Sequence, residues 1–297
     1  VSFSIPIAFA QKFRDDVIML SQQRESRLEM CVRDDPDNLQ GKAGYFDRIG
    51  AVEAQENTSR HSDTPINPTP HSRRRIILRD FDWFDLIDKK DMRRLLIAGQ
   101  LPARYTENAV WAMNRKKDDL IIAAAVGPAY SMDEDDGATA IPLPSSQLVG
   151  VDIGGAGSGL NLEKLLQAKE RIDGSDVDED EERFAAVSAK QVTNLFNTTE
   201  IKSADFNTVK ALAEGKIDTF MGFKFKRTER LTVDGNGDRQ CLFWAKNAIG
   251  LAKGQEIESD IGPRRDKRNS TQVGVDFSMD ATRVEDEKMV VVAARES

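Results

Sequence analysis

Gly154, Gly155, Gly157 and Gly159 crowd into the stretch VGVDIGGAGSGLNLEKLL, after a short apolar run and just ahead of a helix-like segment. Backbone N–H groups in that setting can cradle a phosphate, so nucleotide binding is the first chemistry to weigh. A dinucleotide loop requires G-x-G-x-x-G; counting from Gly155, Gly157 fits but Leu160 stands where the third glycine belongs. A G-x-x-x-x-G-K-[ST] loop fails as well, because no lysine followed by Ser or Thr closes any glycine spacing here. What these glycines supply without a ligand is backbone freedom, which suits a flexible joint between two folded parts. Gly154 and Gly155 are the hinge candidates.

Other constellations fail on their own chemistry. DVDEDEERFAAV places Asp176, Asp178 and Asp180 at positions one, three and five of a calcium loop, but Glu181 replaces the glycine and Val187 the bidentate glutamate. DGNGDR, from Asp234, has Arg239 at the sixth position and reads as a hairpin turn. His61 and His71, the only histidines, lie in a polar, proline-containing loop, so no Ser/His/Asp or Cys/His triad assembles around them. Cys31 and Cys241 stand far apart, which excludes a disulfide framework and a zinc knuckle and fits a reducing cytoplasm. The sequence therefore predicts no catalytic residue, no metal, no cofactor and no enzyme. A nucleotide-binding enzyme built on Gly154–Gly159, with a loose likeness to the Asp-Ile-Gly-Gly turn of sugar kinases and actin-like ATPases, is the alternative from another functional class.

The 297 residues suffice for one large or two modest domains, and 39% hydrophobic content is adequate for burial. A charged fraction of 31% with a net charge of -8 argues against a protein that grips nucleic acid by neutralising phosphates. No apolar run reaches the roughly 18 residues of a membrane span, and the N-terminal segment is a poor signal peptide.

In the first segment, Phe9, Phe13, Val17 and Leu20 recur at helical spacing, with Leu28 and Val32 continuing less regularly until Asp34, Asp35 and Pro36 stop it. It has little core of its own and suits an arm packed on a neighbouring subunit. From Gly41 to Arg79 two extended polar arms flank a tip containing Pro65, Pro68 and Pro70, a long hairpin too poor in apolar surface to stand alone. Arg73, Arg74 and Arg75 on its return strand suit ion pairing within or between subunits, with Glu53 and Glu56 opposite. Residues 103–126 carry no Gly or Pro and predict one helix of ~35 Å, with Val110, Met113, Lys117 and Ile121 on one face. Arg115, Lys116, Asp118 and Asp119 form its charged side, and Gly127 and Pro128 end it. Beyond the glycines come a helix capped by Asn161, a buried strand AAVS followed by a helix, and further strands in IDTFMGFKFKRTERLTV and CLFWAKNAIGLAKG. The close alternates Val273, Val275, Phe277 and Met279 with small or polar partners, then turns at Glu285–Lys288.

This order of parts resembles the major capsid proteins of tailed bacteriophages, with the Hong Kong 97-like fold. SFSIPIAFAQKFRDDVIMLSQQRESRLEMCV resembles their arm; DFDWFDLIDKKDMRRLLI and AVWAMNRKKDDLIIAAAVG resemble the approach to the spine helix and the helix itself. GSGLNLEKLLQAKERID, FAAVSAKQVTNLF, IDTFMGFKF and FWAKNAIGLAKG are similar in order and character to the axial domain, and QVGVDFSMDATRVEDEKMVVV to the last peripheral strands. The resemblance implies an α+β chain divided into an arm at 1–38, an extended hairpin at 39–80, a peripheral domain at 81–150, an axial domain at 151–255 and a return to the peripheral domain at 256–297.

It further implies hexamers and pentamers closing into an icosahedral shell around double-stranded DNA, held without sequence-specific contacts. The shell would assemble in the host bacterial cytoplasm with scaffolding, portal and decoration or cement partners, and without a membrane. Phe9, Phe13, Arg73, Arg74 and Arg75 are the subunit-interface candidates, and the glycine joint would lie where the peripheral domain passes into the axial one. Some relatives lock their shells with a lysine–asparagine isopeptide bond; Lys42 with Asn57 or Asn67 supplies the residue types but no recognisable motif, so that chemistry is not expected. The absence of an N-terminal scaffolding segment implies a separate scaffold or cleavage before Val1. A cellular nanocompartment or gene-transfer particle is the alternative within the same fold.

Overall fold

The computed structural model describes residues 19–34, 39, 41–56, 66–88, 101–132, 138–175, 177–178, 180–197 and 219–296. Phe9 and Phe13, and with them most of the expected arm, lie outside the described residues. The chain divides into two compact units, one of Val1–Glu25, Asp80–Arg115 and Gln255–Ser278, the other of Ser26–Arg79, Lys116–Gly254 and Met279–Ser297. It is α+β, as the sequence predicts.

The larger unit is built on a six-stranded sheet in the order β7 (Leu148–Val149), β14 (Met289–Arg295), β11 (Asp238–Ala245), β8 (Arg183–Val187), β10 (Phe223–Arg227) and β9 (Thr219–Phe220). β8 and β10 run parallel, Phe223 opposite Arg183, and so require a crossover; helix α3 (Ala189–Asn197) lies within it. Every residue of β8 is buried, the pattern of a strand covered on both faces. Phe243 meets Phe223 edge-on at 5.3 Å, and Trp244 lies 6.1 Å from Phe184, its indole N–H donating to the Cys31 carbonyl at 2.8 Å. Helix α2 (Leu162–Asp173) buries Lys164, Leu165, Ala168 and Ile172, a stripe at helical spacing turned toward β14 and β11. Asn161 caps it as expected, its side chain accepting from the Lys164 N–H at 2.9 Å.

The same unit holds a second sheet, ordered β2 (Ala43–Ile49), β3 (His71–Ile77), β5 (Ala129–Met132) and β6 (Ala138–Ile141). β2 and β3 are the two arms of the expected hairpin, in antiparallel register from Ala43 opposite Ile77 to Ile49 opposite His71. A small core of Phe46, Ile76, Ala252 and Val284, with Leu39 and Leu78 against it, holds the hairpin base.

Helix α1 (Leu101–Val126) covers the expected 103–126 and extends it by two residues at its start. In the larger unit it buries Leu120, Ile121, Ile122 and Ala125. One expectation for its faces is corrected and another is refined. Asp118, placed on the charged side, is fully buried, because it accepts hydrogen bonds from the Ser26 hydroxyl (2.6 Å) and from the Arg27 and Leu28 N–H groups (both 3.1 Å). Lys117 is buried as expected but as half of an ion pair, 3.1 Å from Glu29. Gly127 ends the helix, its N–H returning to the Ala123 carbonyl at 2.8 Å.

The smaller unit contains most of β4 (Arg79–Ile87), the outer half of β12 (Ile249–Arg264) and the first part of β13 (Ser270–Arg283). β12 and β13 are neighbours, with β4 on the far side of β13. Val273, Val275 and Phe277 alternate along one buried face, and Phe81 of β4 stacks on Phe277 at 5.3 Å.

Candidate functional site

The glycine loop closes on itself. Gly154, Gly155 and Gly157 all have positive φ (77°, 134° and 58°), the region other residues avoid. The N–H groups that a phosphate would need point at acceptors inside the protein: Gly155 at the Asp152 carbonyl (3.3 Å), Gly157 at the Asp152 carboxylate (2.9 Å) and Ser158 at the Val151 carbonyl (3.2 Å). Asn161 donates to the Ile153 carbonyl at 2.8 Å, and Leu160 N–H donates to the Gln191 side chain at 2.7 Å. The nearest cation is engaged too, because the Lys164 ammonium donates to the carbonyls of Ser158 (2.7 Å), Gly159 (3.1 Å) and Ala293 (3.0 Å). Burial pushes this amine down to about 8, against the nearby Cys241, Asp238 and Asp152, which pull it upward. An anion would have to displace these bonds, so the loop is a braced corner and a poor phosphate site.

The turn from Asp234 is likewise self-satisfied, with the Asp234 carboxylate accepting from Asn236 and Asp238 N–H groups at 2.9 Å each. Cys31 and Cys241 are buried free thiols, pushed up by that burial to about 11 and about 12. Among the described residues no three His, Cys, Asp or Glu side chains converge as metal ligands.

The arginine triplet divides by strand alternation. Arg73 is exposed, 2.5 Å from Asp47 on β2 and over the Tyr45 ring at 5.3 Å. Arg74 points the other way and is buried, 2.5 Å from Asp286. Asp286 also receives the fully buried Arg283 at 2.5 Å, and Arg283 in turn donates to the carbonyls of Gly127 (2.7 Å) and Ile141 (3.0 Å). This arginine hub ties the end of α1 to both sheets' connections, and nothing in the local sequence announces it, because its partners are remote in the chain. The expected opposition of the triplet to Glu53 and Glu56 is corrected: Arg73 and Arg74 find Asp47 and Asp286 instead, since the β2–β3 register sets Asp47 opposite Arg73. Arg75 is partly buried beside a cleft of about 620 Å³ lined also by Ile77, Ala123, Pro128, Tyr130 and Ala281.

The hairpin carries apolar side chains that the chain leaves uncovered: Ile49 is 71% exposed, Val52 57% and Ile66 90%. Large aliphatic groups left exposed on one element mark a surface built for contact. The described part of the hairpin therefore offers a surface for association.

A family model described as phage capsid protein matches residues 5–296. The chain belongs to the phage capsid protein family. Solved capsids agree in fold: the head structure of Helicobacter pylori bacteriophage KHP40 superposes with a TM-score of 0.75 at 10% identity, covering 100% of this chain and 99% of that one. The capsid structure of the cyanophage P-SCSP1u gives 0.71 at 14% identity, covering 98% and 94%, and the capsid of Ralstonia phage GP4 gives 0.71 at 11%, covering 100% and 98%. No curated protein matches the sequence. The Hong Kong 97-like α+β expectation thus holds along the whole chain, and this capsid protein is a structural component of a phage virion, from a family that is not an enzyme class.

Proposed function

We propose that this chain is the major capsid protein of a tailed bacteriophage, assembling as hexamers and pentamers into an icosahedral shell around double-stranded DNA. The family match across residues 5–296 carries the reading. The exposed Ile49, Val52 and Ile66 support it, because a hairpin with uncovered aliphatic groups is stabilised when laid across a neighbour. Many such weak contacts sum to a stable particle. A net charge of -8 suits a wall that must not hold the DNA it encloses. In this reading residues 1–38 and 39–80 reach onto neighbours, 81–150 and the first part of 256–297 form the peripheral domain and 151–255 the axial one, to whose sheet β14 belongs by its pairing with β11. Phe9, Phe13, Arg73 and Arg75 contribute to the subunit contacts, whereas Arg74, buried against Asp286, is engaged within its own chain. The proposed partners are further copies of the chain, a scaffolding protein, a portal and decoration proteins, with assembly in the host cytoplasm.

Gly154 and Gly155 are proposed as the joint between the two domains. The bonds around them narrow that role to a corner of defined geometry, with changes of angle distributed around it.

Electron microscopy of the expressed protein, alone and with a co-expressed scaffold, tests the reading. Regular shells or capsomer rings are expected; a monodisperse monomer under all conditions overturns it. Shells that never protect double-stranded DNA in the infected host would favour the nanocompartment alternative.

A further inference from the structure

The β12–β13 hairpin sorts its charges by position. Its turn holds Arg264, Arg265, Lys267 and Arg268 against a single carboxylate, Asp266, which Arg264 already engages at 3.0 Å. Arg265, Lys267 and Arg268 are exposed and have no carboxylate partner among the described residues. Arg268 and Asn269 adopt positive φ (55° and 56°), which makes the reversal tight and leaves the cations at its end. Behind the turn the sign reverses: Glu256, Glu258 and Asp260, at alternate positions of β12 and so on one face, are all exposed. β1 (Arg33–Asp34) pairs with β12 only at Gly250 and Leu251, so this acidic stretch is an edge with no strand beyond it among the described residues.

Charged edges discourage strand-to-strand aggregation, but that purpose does not require sorting by sign. Nucleic acid is a poor match for the tip, because three cations neutralise few phosphates and the adjoining strands are acidic. The same chain, in contrast, carries the complementary surface. We infer that the basic β12–β13 tip of one copy docks on the acidic Glu256–Glu258–Asp260 edge of a second copy. The docking is inferred to run head-to-tail, the tip of each copy on the edge of the next, so that it repeats around a ring; a reciprocal two-fold pair would stop at a dimer. The inference rests on the shell reading and specifies one of its contacts.

Paired charge reversal tests it. Arg265→Glu/Lys267→Glu/Arg268→Glu and Glu256→Lys/Glu258→Lys/Asp260→Lys alter exposed side chains, and unchanged circular dichroism and melting temperature would verify folding. Lys267→Glu alone serves if the triple reversal lowers the melting temperature. Each variant by itself is expected to need at least about tenfold more protein to assemble, the scale of a lost set of interfacial charge pairs. A mixture of the two, whose tip and edge are again complementary, is expected to associate in sedimentation velocity. A tip variant that assembles at the wild-type concentration, or a mixture that stays dissociated, overturns the inference while wild-type shells leave the shell reading intact. A tip variant that assembles normally but no longer retards a double-stranded DNA fragment identifies a phosphate contact, which also overturns it. Wild-type protein that forms neither shells nor rings defeats the shell reading itself, and the mixture still reports separately on the tip.

Discussion

Lys164 is fully buried, with its ammonium satisfied by three main-chain carbonyls, an arrangement that trades hydration for hydrogen bonds at the corner where the glycine loop meets α2 and β14. Its pKa falls from 10.5 to about 8 on folding, so between those values the unfolded chain holds a proton that the folded chain has released. Stability conferred by this residue therefore rises with pH from about 8 to 10.5, by at most about 3 kcal/mol, and is independent of pH below that window. Lys164→Met should remove the rise; parallel urea-unfolding profiles of wild type and variant across pH 7–10.5 would refute the depressed amine. The neighbouring glycines differ in a way that makes a second prediction. A Cβ on Gly154 would sit 2.1 Å from the Asn161 amide nitrogen, whereas one on Gly155 meets open space. Gly154→Val should lose about 1–3 kcal/mol to this clash on top of the strain of its φ of 77°, whereas the loss at Gly155→Val comes from its more extreme φ of 134° alone. Chemical denaturation gives each loss, and a Gly154→Val loss below about 1 kcal/mol would show that the cap at Asn161 yields freely.

At the scale of elements, α1 illustrates how a helix can be foreseen while its faces are not. Twenty-six residues without an interior Gly specify its length. Its buried Asp118 depends on donors from Ser26, Arg27 and Leu28, about ninety positions away, and no periodicity reveals them. Glu29 extends the same anchorage: burial raises its carboxyl, but Lys117 and Lys253 outweigh that and hold it below the usual glutamate range. Asp118→Ala should release the 26–31 turn from the helix, speeding exchange at the Arg27 and Leu28 amides by about tenfold to a hundredfold, the equivalent of about 1–3 kcal/mol. Unchanged protection there would show that packing of Leu28 alone suffices. The polar outer half of β12 was illegible as a strand, since GQEIESDIGPR has the composition of a loop and becomes extended only because β13 pairs with it. In β4 the signal was present, Phe81 and Trp83 alternating with Asp80 and Asp82, yet its place beside β13 is a tertiary fact.

For the whole molecule, function is a property of many copies. An assembly built from repeated weak contacts forms above a threshold concentration, and one that depends on tip-to-edge charge pairs has a threshold that rises with salt. Light scattering of purified subunits should show shells or rings appearing abruptly with concentration, and a threshold several-fold higher at 0.5 M than at about 0.1 M salt. Gradual, salt-independent association would argue for contacts dominated by the aliphatic hairpin residues Ile49, Val52 and Ile66.

Local pattern was enough to establish the α+β class, the helix over 103–126, the β2–β3 arms, the Asn161 cap and the family resemblance, because each depends on residues close together in the chain or on their linear order. Tertiary structure alone decided that the opening glycines form a hydrogen-bonded corner, that Arg74 faces inward to Asp286 and that β12 carries a basic tip on an acidic edge. Arg74 and Asp286 stand 212 positions apart, and the glycine corner is locked from outside by Gln191 and by the Ala293 carbonyl that Lys164 reaches; burial, register and charge pairing of this kind are set only when the chain has closed on itself.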